Sequence, residues 1–247
     1  MYSCLIYLSL CFIAMLLFNF YKPYLMKLIV IQRFSEFKQV TALTLLSIVL
    51  LGFRMKITHH YSMLFLVWNL FLAFIPYVML VRLRFRESVT TTNLIATFLI
   101  WLAFLPNAPY ILTDLIHIRH AASNWLVYES LLILSFSATG LFLGFLSLRD
   151  MSVLLNEKGW LPHKKWVRIF EYSILFLCGY GVYLGRVLRW NTWDMIQHPQ
   201  QLFLDMADLF IHAFSHAEAW LMIGSMSLFL IVTYTLFKNY NERIFHK

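Results

Sequence analysis

Trp101-Leu-Ala-Phe-Leu-Pro106-Asn107-Ala108-Pro109-Tyr110-Ile-Leu-Thr113-Asp114-Leu-Ile-His117 is the stretch on which the reading of the chain turns. An apolar run enters it, and two prolines three residues apart stop that run. Proline lacks an N–H and its ring crowds the preceding turn, so a helix arriving from residue 89 should end at Pro106. Asn107 between the prolines suits a turn or a cap. Thr113 and Asp114 are residues that begin or cap a new helix. If 110–118 is helical, Tyr110, Asp114 and His117 fall at i, i+4 and i+7 on one face, with Ile111, Leu115 and Ile118 on a neighbouring one. Asp114 and His117 are then an acid–base pair or two ligands of a metal, or simply a cap and an interfacial histidine.

The apolar run is not isolated. Of 247 residues 61% are hydrophobic, 18% aromatic and only 13% charged, with a mean hydropathy of +0.70. Soluble domains carry about 25% charged residues. The composition calls for a polytopic all-α membrane bundle. A span needs about 20 mainly apolar residues, and seven stretches are candidates: roughly 2–20, 39–53, 63–81, 89–106, 125–147, 167–185 and 209–236, the second being short. The first has no basic segment before it and no small-residue cleavage site, so it is expected to stay as a membrane helix. Residues 1–58 hold the first two helices and 59–247 the other five.

The net charge of +8 lies in short gaps between the apolar runs, which points away from nucleic acid as a partner and towards membrane orientation. Fifteen of the 20 Lys and Arg fall in alternate gaps and the C-terminal tail. The five others are Arg54, Lys56, Arg119, Arg186 and Arg189. Positive residues stay on the cytoplasmic side. The bias predicts an N-terminus outside, a C-terminus inside, and the loops 106–124 and 186–207 on the outer face of the cell membrane. The fifteen inner charges read as solvated. Cys4, Cys11 and Cys178 lie in apolar runs and read as small buried hydrophobes.

A second polar stretch closes the sixth span: Gly185-Arg186-Val-Leu-Arg189-Trp190-Asn191-Thr192-Trp193-Asp194. Arg186 and Arg189 are exceptions to the charge bias. They either snorkel beside Trp190 and Trp193, pair internally with Asp114 or Asp194, or bind an anion, for which a guanidinium fork is suited. Gly181 and Gly185, four apart, allow close helix contact, and Gly140 and Gly144 have the same spacing and can supply the facing surface. Asp205, Asp208, His212 and His216 follow one another at spacings of 3, 4 and 4 at the start of the last helix. His212 and His216 form an i, i+4 pair, a metal-ligand spacing or a polar seam. Glu129 is a further acid in the outer half, and Asn69 is interhelical glue beside Trp68.

Trp68-Asn69, the run from Trp101 through Pro106-Asn107-Ala108-Pro109-Tyr110 to Asp114 and His117, and Gly185-Arg186 with Arg189-Trp190-Asn191 and Trp193-Asp194 resemble the bacterial multi-pass membrane family known as domain of unknown function 1361. The resemblance spans roughly residues 60–236. It implies a membrane location and no activity.

The expected site therefore has Asp114 and His117 as candidate catalytic groups. Asn107, Tyr110, Glu129, Arg186, Arg189, Asn191 and Asp194 are candidate binding groups, and a divalent metal is an open reading at His212 and His216. An anionic lipid or phosphate-bearing envelope precursor is the ligand that such a set suits. A transporter subunit and a non-catalytic assembly partner are the alternatives.

Overall fold

A computed structural model describes residues 33–84, 86, 88–120, 125–190, 192 and 194–245, save the side chains of residues 117, 119, 120, 195, 196 and 241–245. The expected span at 2–20 lies outside the described residues. Within them the chain is helical: α1 (Phe34–Thr58), α2 (Phe65–Arg84, entered by a 3-10 turn at Ser62–Leu64), α3 (Thr91–Phe104), the single turn α4 (Asn107–Tyr110), a 3-10 helix (Ile111–His120), α5 (Leu126–Glu157), α6 (Lys164–Arg186), the single turn α7 (Asp194–Gln197), α8 (Pro199–Ile211) and α9 (Ala217–Phe245). Among the described residues six segments are long and apolar enough to cross a membrane. Large apolar side chains cover the outside of these helices, among them Leu45, Val49, Leu99, Leu131, Leu228 and Val232. That is the surface a bundle presents to lipid, where no gain comes from hiding it.

Helix α5 is the hub. It packs against α1, α2, α4, the 3-10 helix and α6. Leu132, Ile133, Phe136, Leu143 and Leu146 fill one core with Leu66, Leu70 and Tyr77 of α2 and Val40 and Leu51 of α1. Phe145, Leu148 and Met151 fill a second with Trp101, Leu175 and Tyr234. Its hydroxyls are satisfied locally: Ser137 donates to the Ile133 carbonyl at 2.8 Å and Thr139 to that of Ser135 at 2.9 Å. Such back-bonding lets a polar side chain sit in an apolar core. Trp101 Nε1 donates to Ser147 Oγ at 3.2 Å and ties the end of α3 to α5.

Several expected boundaries move. The segment expected at 39–53 is a full 25-residue helix, Phe34–Thr58, and α5 runs to Glu157, well past 147. The charged residues at their ends stay helical, and of these Arg54 pairs with Glu129 of α5 and Arg149 with Glu36 of α1. The last expected span, 209–236, is two helices, α8 and α9, joined by a turn at 212–216.

Helix α3 has 14 residues, about 21 Å at 1.5 Å per residue. A bilayer core is about 30 Å thick. The crossing Thr91–Ile116 is completed by the proline break and the 3-10 turn. Irregular backbone at that depth must be enclosed by protein, and it is: Ala108 and Ile111 are fully buried.

Polar side chains gather at the two ends of the bundle. One end holds Arg33, Glu36, Arg84, Arg149, Asp150, Glu171 and Lys238; the other holds Arg54, Glu129, Asn69, Asp114 and Arg186.

Candidate functional site

The prolines position the site by what they let α5 and α6 approach. A Cβ added to Gly140 would lie 2.8 Å from the Ala108 carbonyl oxygen, and one on Gly144 would lie 2.9 Å from the Ala108 Cβ. On the other side, a Cβ on Gly181 would lie 2.7 Å from Pro106 Cγ, and one on Gly185 would lie 3.1 Å from the Tyr110 ring. The two glycine pairs were expected to face each other. Instead each faces the break, which is wedged between α5 and α6. Small-xxx-small faces accept any backbone that comes close, and here that backbone is the Pro-Asn-Ala-Pro-Tyr turn.

Beyond the wedge the chain tightens into a ten-residue 3-10 helix where an α-helix was expected. Runs beyond 3–4 residues are uncommon. At its start Thr113 Oγ1 donates to the Tyr110 carbonyl at 2.6 Å, an i to i−3 bond that favours the tighter winding.

Asp114 is 1% exposed. Its Oδ1 accepts from Nη2 of Arg186, and its Oδ2 from Nδ2 of Asn69 at 2.9 Å. Arg186 Nε donates to Thr113 Oγ1 at 2.8 Å, and the guanidinium carbon stands 4.6 Å from the centre of the Tyr110 ring. A carboxylate, a hydroxyl and an aromatic face thus fix the guanidinium in plane and position. The Arg186 side chain remains 18% exposed, so it is the charged partner with an open edge. Asn107 Nδ2 donates to the Phe104 carbonyl at 2.9 Å, closing α3, and reaches Thr192 Oγ1 at 3.5 Å. Asn69, Asn107, Tyr110, Thr113, Asp114, Arg186 and Thr192, remote in sequence, meet here.

Arg189 stands apart. It is exposed, has a left-handed backbone with φ 61°, and makes no ion pair among the described residues. The fold around it is firm: Trp190 N donates to the Leu184 carbonyl at 3.1 Å, and Trp190 Nε1 to Asp205 Oδ2 at 2.9 Å. Asp194 opens α7, and its backbone carbonyl accepts from His198 at 2.8 Å. The His117 side chain and Asn191 lie outside the described residues.

Glu129 does not join Asp114 and Arg186. Its Oε1 accepts from Arg54 Nε at 3.0 Å and from Arg54 Nη2 at 2.6 Å, and Arg54 Nη1 also reaches the His60 carbonyl at 3.3 Å. Both side chains are under a tenth exposed. Two of the five arginines and lysines in the minority gaps are therefore spent on buried carboxylates.

Asp208, His212 and His216 do meet, but across a reversal of the chain and not along one helix face. Asp208 Oδ1 is 2.7 Å from His212 Nδ1 and Oδ2 is 3.0 Å from His216 Nε2, with Asp208 in the last turn of α8 and both histidines in the turn that follows. These two hydrogen bonds, that to His212 foremost, hold the Asp208 carboxyl below its ordinary range. Among the described residues no group of three or more His, Cys, Asp and Glu could hold a metal ion.

Sequence reasoning passed over the polar groups of the opposite end, where solvated charge was expected. Asp150, 1% exposed, accepts from Arg33 at 2.5 Å and from Arg149 at 3.1 Å. Glu36 accepts from Arg149 at 2.7 Å. Burial opposes the Arg33 charge, yet Asp150 and Glu36 outweigh it and raise the guanidinium above its ordinary value. Glu171 pairs with Lys238 at 2.9 Å. The available signal was Arg149-Asp150, an acid placed directly in a basic gap.

Neither a curated protein nor a solved structure matches the chain. A family model does, over residues 68–233. That stretch begins beside Asn69 and takes in the break, Glu129, Arg186 and Thr192, so the assembled site lies wholly within it. By this match over more than half its length, the chain belongs to the family described as Protein of unknown function (DUF1361).

Proposed function

We propose that this multi-pass membrane protein binds an anionic group of a lipid or envelope precursor between Arg186 and Arg189, on the outer face of the cell membrane. The observation that carries the reading is Arg189: an exposed cation without an ion pair among the described residues, in a left-handed backbone, three residues beyond a guanidinium already fixed by Tyr110, Thr113 and Asp114. A non-glycine residue at such φ costs about 1 kcal/mol, and strain of this kind gathers at functional sites. Asp114 serves as the internal counter-ion that keeps Arg186 in place until a ligand anion shares it. Asp114 and His117 are the acid–base candidates if the bound group is also processed.

A structural reading competes, because the Arg186 charge is already met by Asp114. In it the three motifs only lock the loops together for an assembly partner. The two readings separate in phosphatidylcholine nanodiscs titrated with short-chain phosphatidic acid. Binding predicts a thermal-unfolding midpoint that rises with the anionic lipid, and a rise that is smaller in Arg189→Gln. An equal rise in wild type and Arg189→Gln would leave only the structural reading. Processing is tested separately, by lipid pools in cells carrying Asp114→Asn or His117→Ala. Pools unchanged from wild type would remove it.

A further inference from the structure

The opposite end of the bundle carries a second polar cavity, of about 360 Å³, between α6 and α9. Helical spacing builds it. Arg168, Glu171 and Tyr172 share a face of α6, and Tyr234, Thr235, Lys238 and Asn239 face them from α9. Glu171 is the floor. It is 2% exposed, and its carboxylate accepts from Tyr234 at 2.8 Å, Ser152 at 3.2 Å and Lys238 at 3.0 and 2.9 Å. A carboxylate so fully engaged has little capacity left for a ligand. What it does is hold the Lys238 ammonium, 35% exposed, at the cavity wall. Two N–H bonds of that ammonium go to Glu171, and a third remains.

Arg168 lines the same cavity, is exposed, and makes no ion pair among the described residues. Lys238 and Glu171 cancel, so Arg168 leaves the cavity with a net positive charge. Thr235 Oγ1 gives its proton to the Ile231 carbonyl at 2.7 Å, and the Tyr172 hydroxyl, 3.5 Å from it, is bonded only weakly and can turn to donate elsewhere. Two cations and a hydroxyl donor are the complement of a phosphate. The volume falls in the ordinary range for small-ligand sites, about 300–1,000 Å³. Lys164, Lys165 and Trp166 are exposed at the same end of α6, the residue types of a membrane–water boundary.

We propose that this cavity binds a phosphate group, which in the membrane is the headgroup of an anionic phospholipid. Arg168 grips the phosphate oxygens, Lys238 adds a point charge held by Glu171, and Tyr172 donates. Basic pockets between membrane helices at the cytoplasmic side recognise lipid headgroups in this way.

The test uses the full chain in phosphatidylcholine nanodiscs, titrated in one arm with short-chain phosphatidylglycerol and in the other with inorganic phosphate. Thermal-unfolding midpoint is the readout. Arg168→Gln removes an exposed charge with no ion pair to break, so it leaves the ligand-free midpoint in place. The expected result is a phosphatidylglycerol-dependent rise whose apparent affinity falls about tenfold in Arg168→Gln, the loss of one charge-assisted contact. Tyr172→Phe should weaken it in the same direction. Arg189→Gln at the far end should leave the Arg168-dependent part intact. A rise with inorganic phosphate alone, equally dependent on Arg168, keeps the phosphate site and assigns it to the free ion. No rise in either arm, or a rise that Arg168→Gln does not weaken, overturns the proposal.

Discussion

At the scale of single residues, two of the charges that break the expected distribution are held by buried acids. Arg54 is spent on Glu129 and Arg186 on Asp114, while Arg189 makes no ion pair among the described residues and has a left-handed backbone. Removing one partner of a buried pair strands the other, at a cost of about 3–5 kcal/mol. Arg54→Ala should therefore lower the unfolding midpoint sharply, and Arg54→Ala combined with Glu129→Gln should recover part of the loss. If the single variant were as stable as wild type, the pair would be ornamental. Arg189→Gly should behave in the opposite sense. It relieves a left-handed side chain and should hold or raise stability by about 1 kcal/mol, while weakening anionic-lipid binding. An Arg189→Gly variant less stable than wild type would show that the side chain serves packing. The sequence allowed internal pairing of Arg186 as one of three readings but missed Arg54 for Glu129. Partner choice across helices depends on which way each face turns, and charge counting carries no information about rotation.

At the scale of elements, the break between α3 and the 3-10 helix is the part that had to be seen. Two prolines announced that a helix stops; nothing in their spacing said what would enclose the exposed backbone. The glycine pairs were legible as contact surfaces, and their common target was not, because a four-residue spacing names a face without naming its partner. Gly140→Ala and Gly181→Ala should each destabilise by about 1–3 kcal/mol through overpacking, since a methyl would fall 2.8 Å from a backbone oxygen and 2.7 Å from a proline ring. Gly52→Ala and Gly224→Ala, where nothing lies within 4 Å, are the controls. Equal midpoints for all four would remove the wedge. The turn between α8 and α9 makes a pH prediction. The Asp208 carboxyl is depressed by His212 and His216, so its contribution is present above the ordinary aspartate value, about 4, and is lost as pH falls through the lower folded value. A spin label at Ser215→Cys should loosen only in that acid range, and Asp208→Asn should abolish the acid step. Loosening that begins near neutrality and persists in Asp208→Asn would assign the turn to other groups.

For the whole molecule, composition was enough to read an all-helical membrane bundle, and the alternation of apolar runs and gaps was enough to locate its long helices. Their lengths were less legible. Acids such as Glu36, Asp150 and Glu171 pair with charged residues inside helices that the sequence reading cut short. The bundle is organised as two polar ends joined by apolar cores, with α5 touching both. Its central claim is that wedging the proline break between α5 and α6 delivers Asp114 to Arg186. A double-mutant cycle on thermal unfolding, with Asp114→Asn, Arg186→Gln and the two combined, measures that delivery. The account predicts that each single change lowers the midpoint strongly and that the double variant is no less stable than the weaker single one. Losses that simply add would mean the two residues do not meet.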